Sequence, residues 1–333
     1  MSLPEFDYFK PRTLIETIEI LTVHQTKAQI MAGGTDIIVR MKQGVAKFRY
    51  LVDITGLPFM SGITMKAEEI EIGALTRLNT IGSSPEIIEN ASVLATAASL
   101  IGMPQHRNMG TLGGNICLDT RCYYFNQLAS WRQSRPLCYK TGGDRCHVAK
   151  RSPVCHAVFS ADTPLALMAL GARVRTAGPY GIQEMPIEFL YSHDGMCPIK
   201  LEAGAIVVAV IIPRPQPYTG FAYEKYRLRQ EIDFPIVGIA VAITLDGPGG
   251  ICRRARIVLN AVGPGPKRAL EAEAALEGRK AEESLEEAAE LAYQSAKPVH
   301  PMGASPINKK TMVRVLVRDA LVKAVGMANG NTR

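Results

Sequence analysis

Apolar residues in "TLIETIEIL" recur at three- and four-residue spacing, which predicts a helix, and Thr13 with Glu16 three positions later forms a capping-box pair at its start. The run "AQIMA" is short and apolar and reads as a buried strand. Two glycines follow it, and "TDIIVRMK" returns to helical spacing. "YLVDI" reads as another strand and "GITMKAEEIEIG" as two strands joined by a charged turn. Pro85 with Glu86 then opens a helical region that runs through "ASVLATAASLI".

Past residue 158 the alternation resumes. "DTPLALMAL" predicts a helix with Asp162 near its cap and Pro164 in its first turn. "ARVRTAG" and "AIVVAVIIP" predict strands, and the three prolines of "PRPQPYTG" mark a linker. Strands follow in "FAYEKYRL", "FPIVGIAVAITLD" and "RRARIVLNAV", then helices in "PKRALEAEAALEG", "EESLEEAAELAYQSA" and "KKTMVRVLVRDALVKAV". Strands succeeded by a run of helices predict a separate α+β domain. No internal repeat or low-complexity tract interrupts the pattern.

Composition narrows the class. A chain of 333 residues has room for two or three domains, and 47% hydrophobic with 21% charged residues is the balance of a soluble globular protein. The opening "MSLPEFDYFKPRT" carries Glu5 and Asp7 and no apolar core segment, so it does not read as a secretory signal. The apolar stretch "IVGIAVAITL" is far too short to span a bilayer. A cytoplasmic protein without a membrane span is therefore expected. The net charge of +7 is spread along the chain with no nucleic-acid-binding motif beside it, so a solvated surface is expected rather than a nucleic-acid partner.

Two stretches carry candidate chemistry. "MAGGTDI" and, about 80 residues later, "TLGGNI" both combine glycines with hydroxyl and amide donors. Glycine lets a backbone turn sharply and approach a ligand closely, and exposed amides at such a turn attract anions. Neither stretch fits the dinucleotide or P-loop pattern. Both are consistent with a turn alone or with a cradle for a phosphate-containing cofactor.

The other stretch runs from Cys122 to Cys155, "CYYFNQLASWRQSRPLCYKTGGDRCHVAKRSPVC", and reads as a surface excursion. Four of the seven cysteines lie in it, separated by fifteen, seven and eight residues. In a non-secreted protein clustered thiols are metal ligands or redox groups more often than disulfides. Zinc sites commonly pair ligands two to four residues apart and bacterial ferredoxins space them more closely still, so the spacing leaves the metal open. Cys117, Cys197 and Cys252 read as structural residues. His147 and His156 read as hydrogen-bonded or exposed, and Trp131 as packing the loop.

"MAGGTDI", "RNMGTLGGNI", "DTPLALMALGA" and "YEKYRLRQEIDFPIVGIAVA" together resemble the FAD-binding subunit of the molybdenum hydroxylase (xanthine oxidase) family, in the same order over nearly the whole chain. The resemblance implies an α+β architecture: a FAD-binding domain of two α+β subdomains over residues 1–216, an inserted segment at about 118–158, and a smaller C-terminal α+β domain over 217–333. It implies that Ile30, Met31, Ala32, Gly33, Gly34, Thr35, Asp36 and Ile37 cradle FAD together with Thr111, Leu112, Gly113, Gly114 and Asn115. By position it adds Ile101, Asp162, Val207 and Lys225 as cofactor contacts, and it assigns no catalytic residue to this chain.

The inserted segment is similar to that of the 4-hydroxybenzoyl-CoA reductase branch of the family, whose flavin subunit carries one [4Fe-4S] cluster. On that likeness Cys122, Cys138, Cys146 and Cys155 are the ligands; the nearby arginines and lysines fit either a partial offset of the cluster's charge or a solvated face. The implied role is an electron relay. Its partners would be a molybdopterin-containing large subunit, a small subunit with two [2Fe-2S] clusters, and a ferredoxin-like carrier. A relay serving another aromatic, purine or aldehyde substrate, a self-sufficient flavin oxidase and a zinc-stabilised module remain as alternatives. The excursion is expected to be separable, so that the flavin scaffold tolerates loss of the cluster.

Overall fold

A computed structural model of the chain describes residues 3–330; residues 1–2 and 331–333, at the outer ends of the two expected domains, lie outside the described residues. The chain begins with β1 (Asp7–Phe9), α1 (Leu14–His24), β2 (Ala28–Met31), α2 (Ile37–Lys42) and β3 (Tyr50–Asp53). Its three strands form a parallel sheet in the order β1–β3–β2. Thr13 caps α1 by accepting the amide of Glu16 at 3.1 Å. The Glu16 carboxylate takes the amide of Arg12, at 2.8 Å, so the expected reciprocal bond is displaced by one residue.

A five-stranded antiparallel sheet comes next. It contains β4 (Ile63–Met65), β5 (Glu69–Gly73), β6 (Arg173–Gly178), β7 (Gly181–Pro186) and β8 (Ile206–Pro213), in the order β4–β5–β8–β6–β7. Alternation along β5 sends Ile70 and Ile72 into the core and Glu69 and Glu71 to the other face, where Arg173 and Arg175 pair with them. Between β5 and β6 run the helices α3 (Leu78–Ser83), α4 (Pro85–Asn90), α5 (Ser92–Ser99), α6 (Pro104–Met109), α7 (Leu112–Ile116), α8 (Ala129–Gln133) and α9 (Thr163–Leu170). The continuous helical region expected after Pro85 breaks at Ala91, whose φ of −151° and ψ of 49° lie outside the helical range.

The C-terminal region is a four-stranded antiparallel sheet of β9 (Thr219–Tyr226), β10 (Val237–Leu245), β11 (Cys252–Asn260) and β12 (Lys267–Arg268), followed by α10 (Leu270–Leu276), α11 (Leu285–Ser295) and α12 (Pro306–Ala328). Lys267 and Arg268, expected in a helix, pair with Leu259 and Val258 instead. β10 reads as an unbroken apolar run because both its faces are covered. Val237, Ile239, Val241 and Ile243 join the core under the three C-terminal helices, while Ala240 and Ala242 join the core of the N-terminal region. The C-terminal sheet is therefore shared between the two regions. Among the described residues no helix is long and apolar enough to cross a membrane.

The cysteine segment runs over the surface, as its sequence suggests, with most of its residues exposed or half-buried. Cys122, Cys146 and Cys155 are buried, and the segment is tied to its surroundings at several points. Arg121 exchanges two backbone hydrogen bonds of 2.7 Å with Val158, and the amide of Tyr123 donates to Nε2 of buried His300 at 3.2 Å. Arg132 donates to the carbonyl of Gly44 at 2.8 Å.

The closest sheet–helix approach tests the C-terminal packing. A Cβ on Gly220 would stand 1.9 Å from the carbonyl oxygen of Ala324 on α12. Gly220→Ala is expected to cost about 1–3 kcal/mol through overpacking, read as a lowered melting temperature. A melting temperature equal to that of the parent would contradict this packing.

Candidate functional site

The first glycine loop leaves β2 and enters α2. A Cβ on Gly33 would lie 1.9 Å from the carbonyl oxygen of Met109 and 3.0 Å from Cα of Gly110. No other residue type fits without moving that backbone. Gly34 has a φ of +72°, a left-handed conformation that side chains disfavour. Oγ1 of Thr35 approaches to 3.7 Å of where a Cβ on Gly110 would be. Two loops far apart in sequence therefore touch at their backbones.

Among the described residues, the amides of Gly33, Gly34, Thr35 and Asp36 donate to no protein acceptor. Four successive free donors at a turn form a concave anion site. The Asp36 carboxylate does not spoil it, because Arg121 binds one oxygen and Arg40 stands 3.9 Å from the other. This donor set fits a phosphate-bearing cofactor.

The second loop is packed differently. Its amides are already taken: Leu112 donates to Thr76 at 2.9 Å, Gly113 to Ala74 at 2.8 Å and Gly114 to Oγ1 of Thr111 at 3.2 Å. Asn115 accepts from the backbone and hydroxyl of Thr163, at 3.1 and 2.6 Å, and so ties the loop to the start of α9. The free amides belong to the first loop, at 33–36, which is seated on a packed platform that follows Met109. Ile30 and Met31 belong to β2, Ala32 leads into the turn, and Ile37 opens α2.

The other expected contacts are more deeply set. Alternation along β9 turns Tyr223 and Lys225 toward the start of α9, where Asp162 accepts from the Tyr223 hydroxyl at 2.5 Å and lies 3.1 Å from Nζ of Lys225. Lys225 also donates to the carbonyl of Leu100 at 3.0 Å, next to Ile101. The Lys225 and Asp162 side chains are 2% and 4% exposed, so their charged ends are committed to each other. Burial pushes the Asp162 carboxyl up and the Lys225 ammonium down from their ordinary values, and each partly holds the other charged. Val207 is buried in the core of the five-stranded sheet, beside Val208, whose carbonyl accepts the amide of Ala74 at 2.9 Å. Tyr223 is a site residue that the sequence analysis missed; only its place two residues before Lys225 signals that it shares the same face.

The four cysteines converge. Cys122, Cys138, Cys146 and Cys155 line one cavity with Tyr124, Phe125, Lys140 and His147. Burial raises the Cys122 thiol and pushes that of Cys155 up to about 11, so ligation there must displace protons. Among the described residues no three His, Cys, Asp or Glu side chains are grouped to hold a single metal ion. Four convergent thiols are a donor set of the kind used by both structural zinc and iron–sulfur clusters. His147 pairs with the carbonyl of Pro136 at 2.8 Å, His156 with Ser152 at 2.7 Å, and Trp131 packs on Tyr123 and Tyr124. Burial pushes the thiols of Cys117 and Cys252 up to about 12 and about 11, and Cys197 is exposed.

Residues 4–215 match the family model described as the FAD binding domain in molybdopterin dehydrogenase. The chain belongs to that family. Residues 221–324 match the CO dehydrogenase flavoprotein C-terminal domain. The chain is 28% identical over 330 residues to the 6-hydroxypseudooxynicotine dehydrogenase complex subunit alpha of Paenarthrobacter nicotinovorans, covering 98% of this chain and 97% of that one. It is 25% identical over 326 residues to the xanthine dehydrogenase FAD-binding subunit of Escherichia coli O157:H7, covering 97% of each. Its fold superposes on carbon monoxide dehydrogenase from Hydrogenophaga pseudoflava, in a form lacking the Mo-pyranopterin moiety, with a TM-score of 0.80 at 28% identity over 97% of this chain and 98% of that chain.

The geometry ranks the glycines of this flavoprotein. Gly33→Ala must displace the Met109 carbonyl, whereas a Cβ on Gly114 meets only Oγ1 of Thr111, at 3.1 Å. Fluorescence titration should find FAD bound at least about tenfold more weakly by Gly33→Ala, from the cost of overpacking. Gly114→Ala should stay near the parent, and equal losses in the two variants would contradict the ranking. Lys225→Met strands a buried carboxylate and is expected to destabilise the fold by about 3–5 kcal/mol in denaturant melts. Lys225→Met combined with Asp162→Asn should recover part of that loss. A double variant no more stable than the single one would argue against the ion pair.

Proposed function

We propose that the chain is the FAD-carrying electron-transfer subunit of a molybdenum-dependent oxidoreductase and that Cys122, Cys138, Cys146 and Cys155 hold one [4Fe-4S] cluster. The observation that carries the second half is the convergence of four free thiols on one cavity. Unpaired cysteines also suit a reducing, cytoplasmic setting. The FAD-binding domain is assigned to residues 1–216, with the cluster segment at about 118–158, and the C-terminal domain to 217–333.

In this reading the amides from Gly33 to Asp36 receive the FAD pyrophosphate. The platform at Thr111, Leu112, Gly113, Gly114 and Asn115 fixes the loop's height, and the Asp162–Lys225 pair holds the wall formed by α5, α9 and β9. Lys140 and Arg145 line the thiol cavity and offset the charge of thiolate ligands. Bound FAD supplies two-electron chemistry and the cluster single-electron exchange. In this reading substrate conversion belongs to a partner. The expected partners are a molybdopterin-containing large subunit and a small subunit with two [2Fe-2S] clusters, with a ferredoxin-like carrier outside the complex.

The resemblance of the inserted segment to that of 4-hydroxybenzoyl-CoA reductase supports that enzyme, which removes the hydroxyl reductively to give benzoyl-CoA. A second reading, a dehydrogenase for another small substrate, is favoured by the names of relatives: carbon monoxide, xanthine and 6-hydroxypseudooxynicotine dehydrogenases. Iron and flavin analysis of anaerobically purified Cys→Ser variants tests the cluster. Each of the four changes should remove about four irons per chain, the content of one cubane. Cys197→Ser should keep them all. Zinc in the parent, or iron loss that ignores the four positions, would overturn the cluster and the reductase reading with it.

A further inference from the structure

The glycine loop and the cysteine cavity are joined by a short chain of charges. Asp119 lies between them: one carboxylate oxygen is 2.5 Å from Nη2 of Arg40, on α2, and the other is 2.9 Å from Nζ of Lys140, on the cavity wall. Asp36, the last residue of the donor loop, is held by Arg121 and by Arg40. The side chains of Lys140, Arg121 and Arg40 are 5%, 13% and 14% exposed, so these are not solvated surface pairs. Lys140 continues to Oγ1 of Thr120 at 2.7 Å. That hydroxyl donates to the carbonyl of Gly195 at 2.7 Å, and the Gly195 amide donates to the carbonyl of Cys155 at 2.9 Å.

Neither end of this chain can hold itself. α2 has six residues, far below the length at which a helix persists alone, so tertiary contacts set its direction. Between Cys122 and Cys155 the only regular elements are α8, of five residues, and a three-residue turn at Tyr139–Thr141. Lys140 sits inside that turn. Its place depends on the fold of the cysteine segment, which has no longer helix or strand to set its path.

We propose that Asp119 is a positioning residue that couples the two cofactor sites. Through Arg40 it directs the helix behind the FAD-binding amides, and through Lys140 it registers whether the cysteine cage is assembled. Assembly of the cage therefore tightens FAD, and FAD tightens the cage by the same factor. This rests on the assignment of FAD and a cluster to this chain, and it reverses the expectation that the flavin scaffold is indifferent to the cysteine segment.

The test measures the FAD dissociation constant by flavin fluorescence on the full-length chain, anaerobically, in two states. One is reconstituted with iron and sulfide and the other is stripped of iron. In the parent, stripping should weaken FAD about tenfold, within the ordinary range of coupling between sites. In Asp119→Asn the ratio between the two states should fall to near one. Lys140→Met, which removes only the arm on the cavity side, should do the same and serves if Asp119→Asn does not fold. Asp119→Glu should restore part of the ratio, and Glu286→Gln, in a remote exposed pair with Arg318, should leave it intact. A parent ratio near one with iron bound would overturn the coupling alone. The parent ratio persisting in Asp119→Asn or Lys140→Met would overturn the role of Asp119. A parent that takes up no iron would overturn the cage assignment and this inference together.

Discussion

The contact on which the site depends is the approach of the Gly33 backbone to the Met109 carbonyl. It leaves no room for a Cβ, and it joins the parallel sheet of the first 53 residues to the helical region that follows. Because Gly33 is seated there, the next turn must rise in a left-handed conformation at Gly34, and four amides emerge with no protein partner. The second loop supplies the seat rather than donors of its own. Its amides are fixed by Ala74 and Thr76, which lie just past β5 and so inherit the rigidity of the five-stranded sheet.

A buried ion pair does the corresponding work on the other side. Asp162 and Lys225 bring together the start of α9, the end of α5 and β9, that is, both sequence regions. Desolvation makes such a pair a poor source of net stability, and its use is to specify one arrangement, since any other leaves a charge buried alone. The small residues Ala240 and Ala242 on the facing side of β10 let the C-terminal sheet pack closely against the N-terminal core. The two regions thus act as one scaffold for the donor loop.

Apolar spacing made α1 and the alternating β5 legible in the sequence, and Asp162 with Pro164 marked the start of α9. β1 and β7 were not legible, since "DYF" is too short to show a period and "GIQEMP" is an exposed edge strand without an apolar face. The glycine loops were legible as chemistry but not as roles, because whether an amide is free depends on carbonyls elsewhere in the chain. The same limit hid the braces of the cysteine segment. Asp36 meets Arg121, and Asp119 meets Arg40 and Lys140, only after folding, and no spacing rule links residues so far apart. Clustering in the sequence singled out the four cysteines; their convergence on one cavity is a property of the fold.

Anomalous X-ray scattering from crystals of the anaerobically purified chain tests the central claim most directly. The account predicts an iron signal enclosed by the sulfurs of Cys122, Cys138, Cys146 and Cys155, and flavin density whose phosphates meet the amides of Gly33 to Asp36. A signal at the zinc edge in place of iron, or flavin density whose phosphates lie away from that loop, would contradict it.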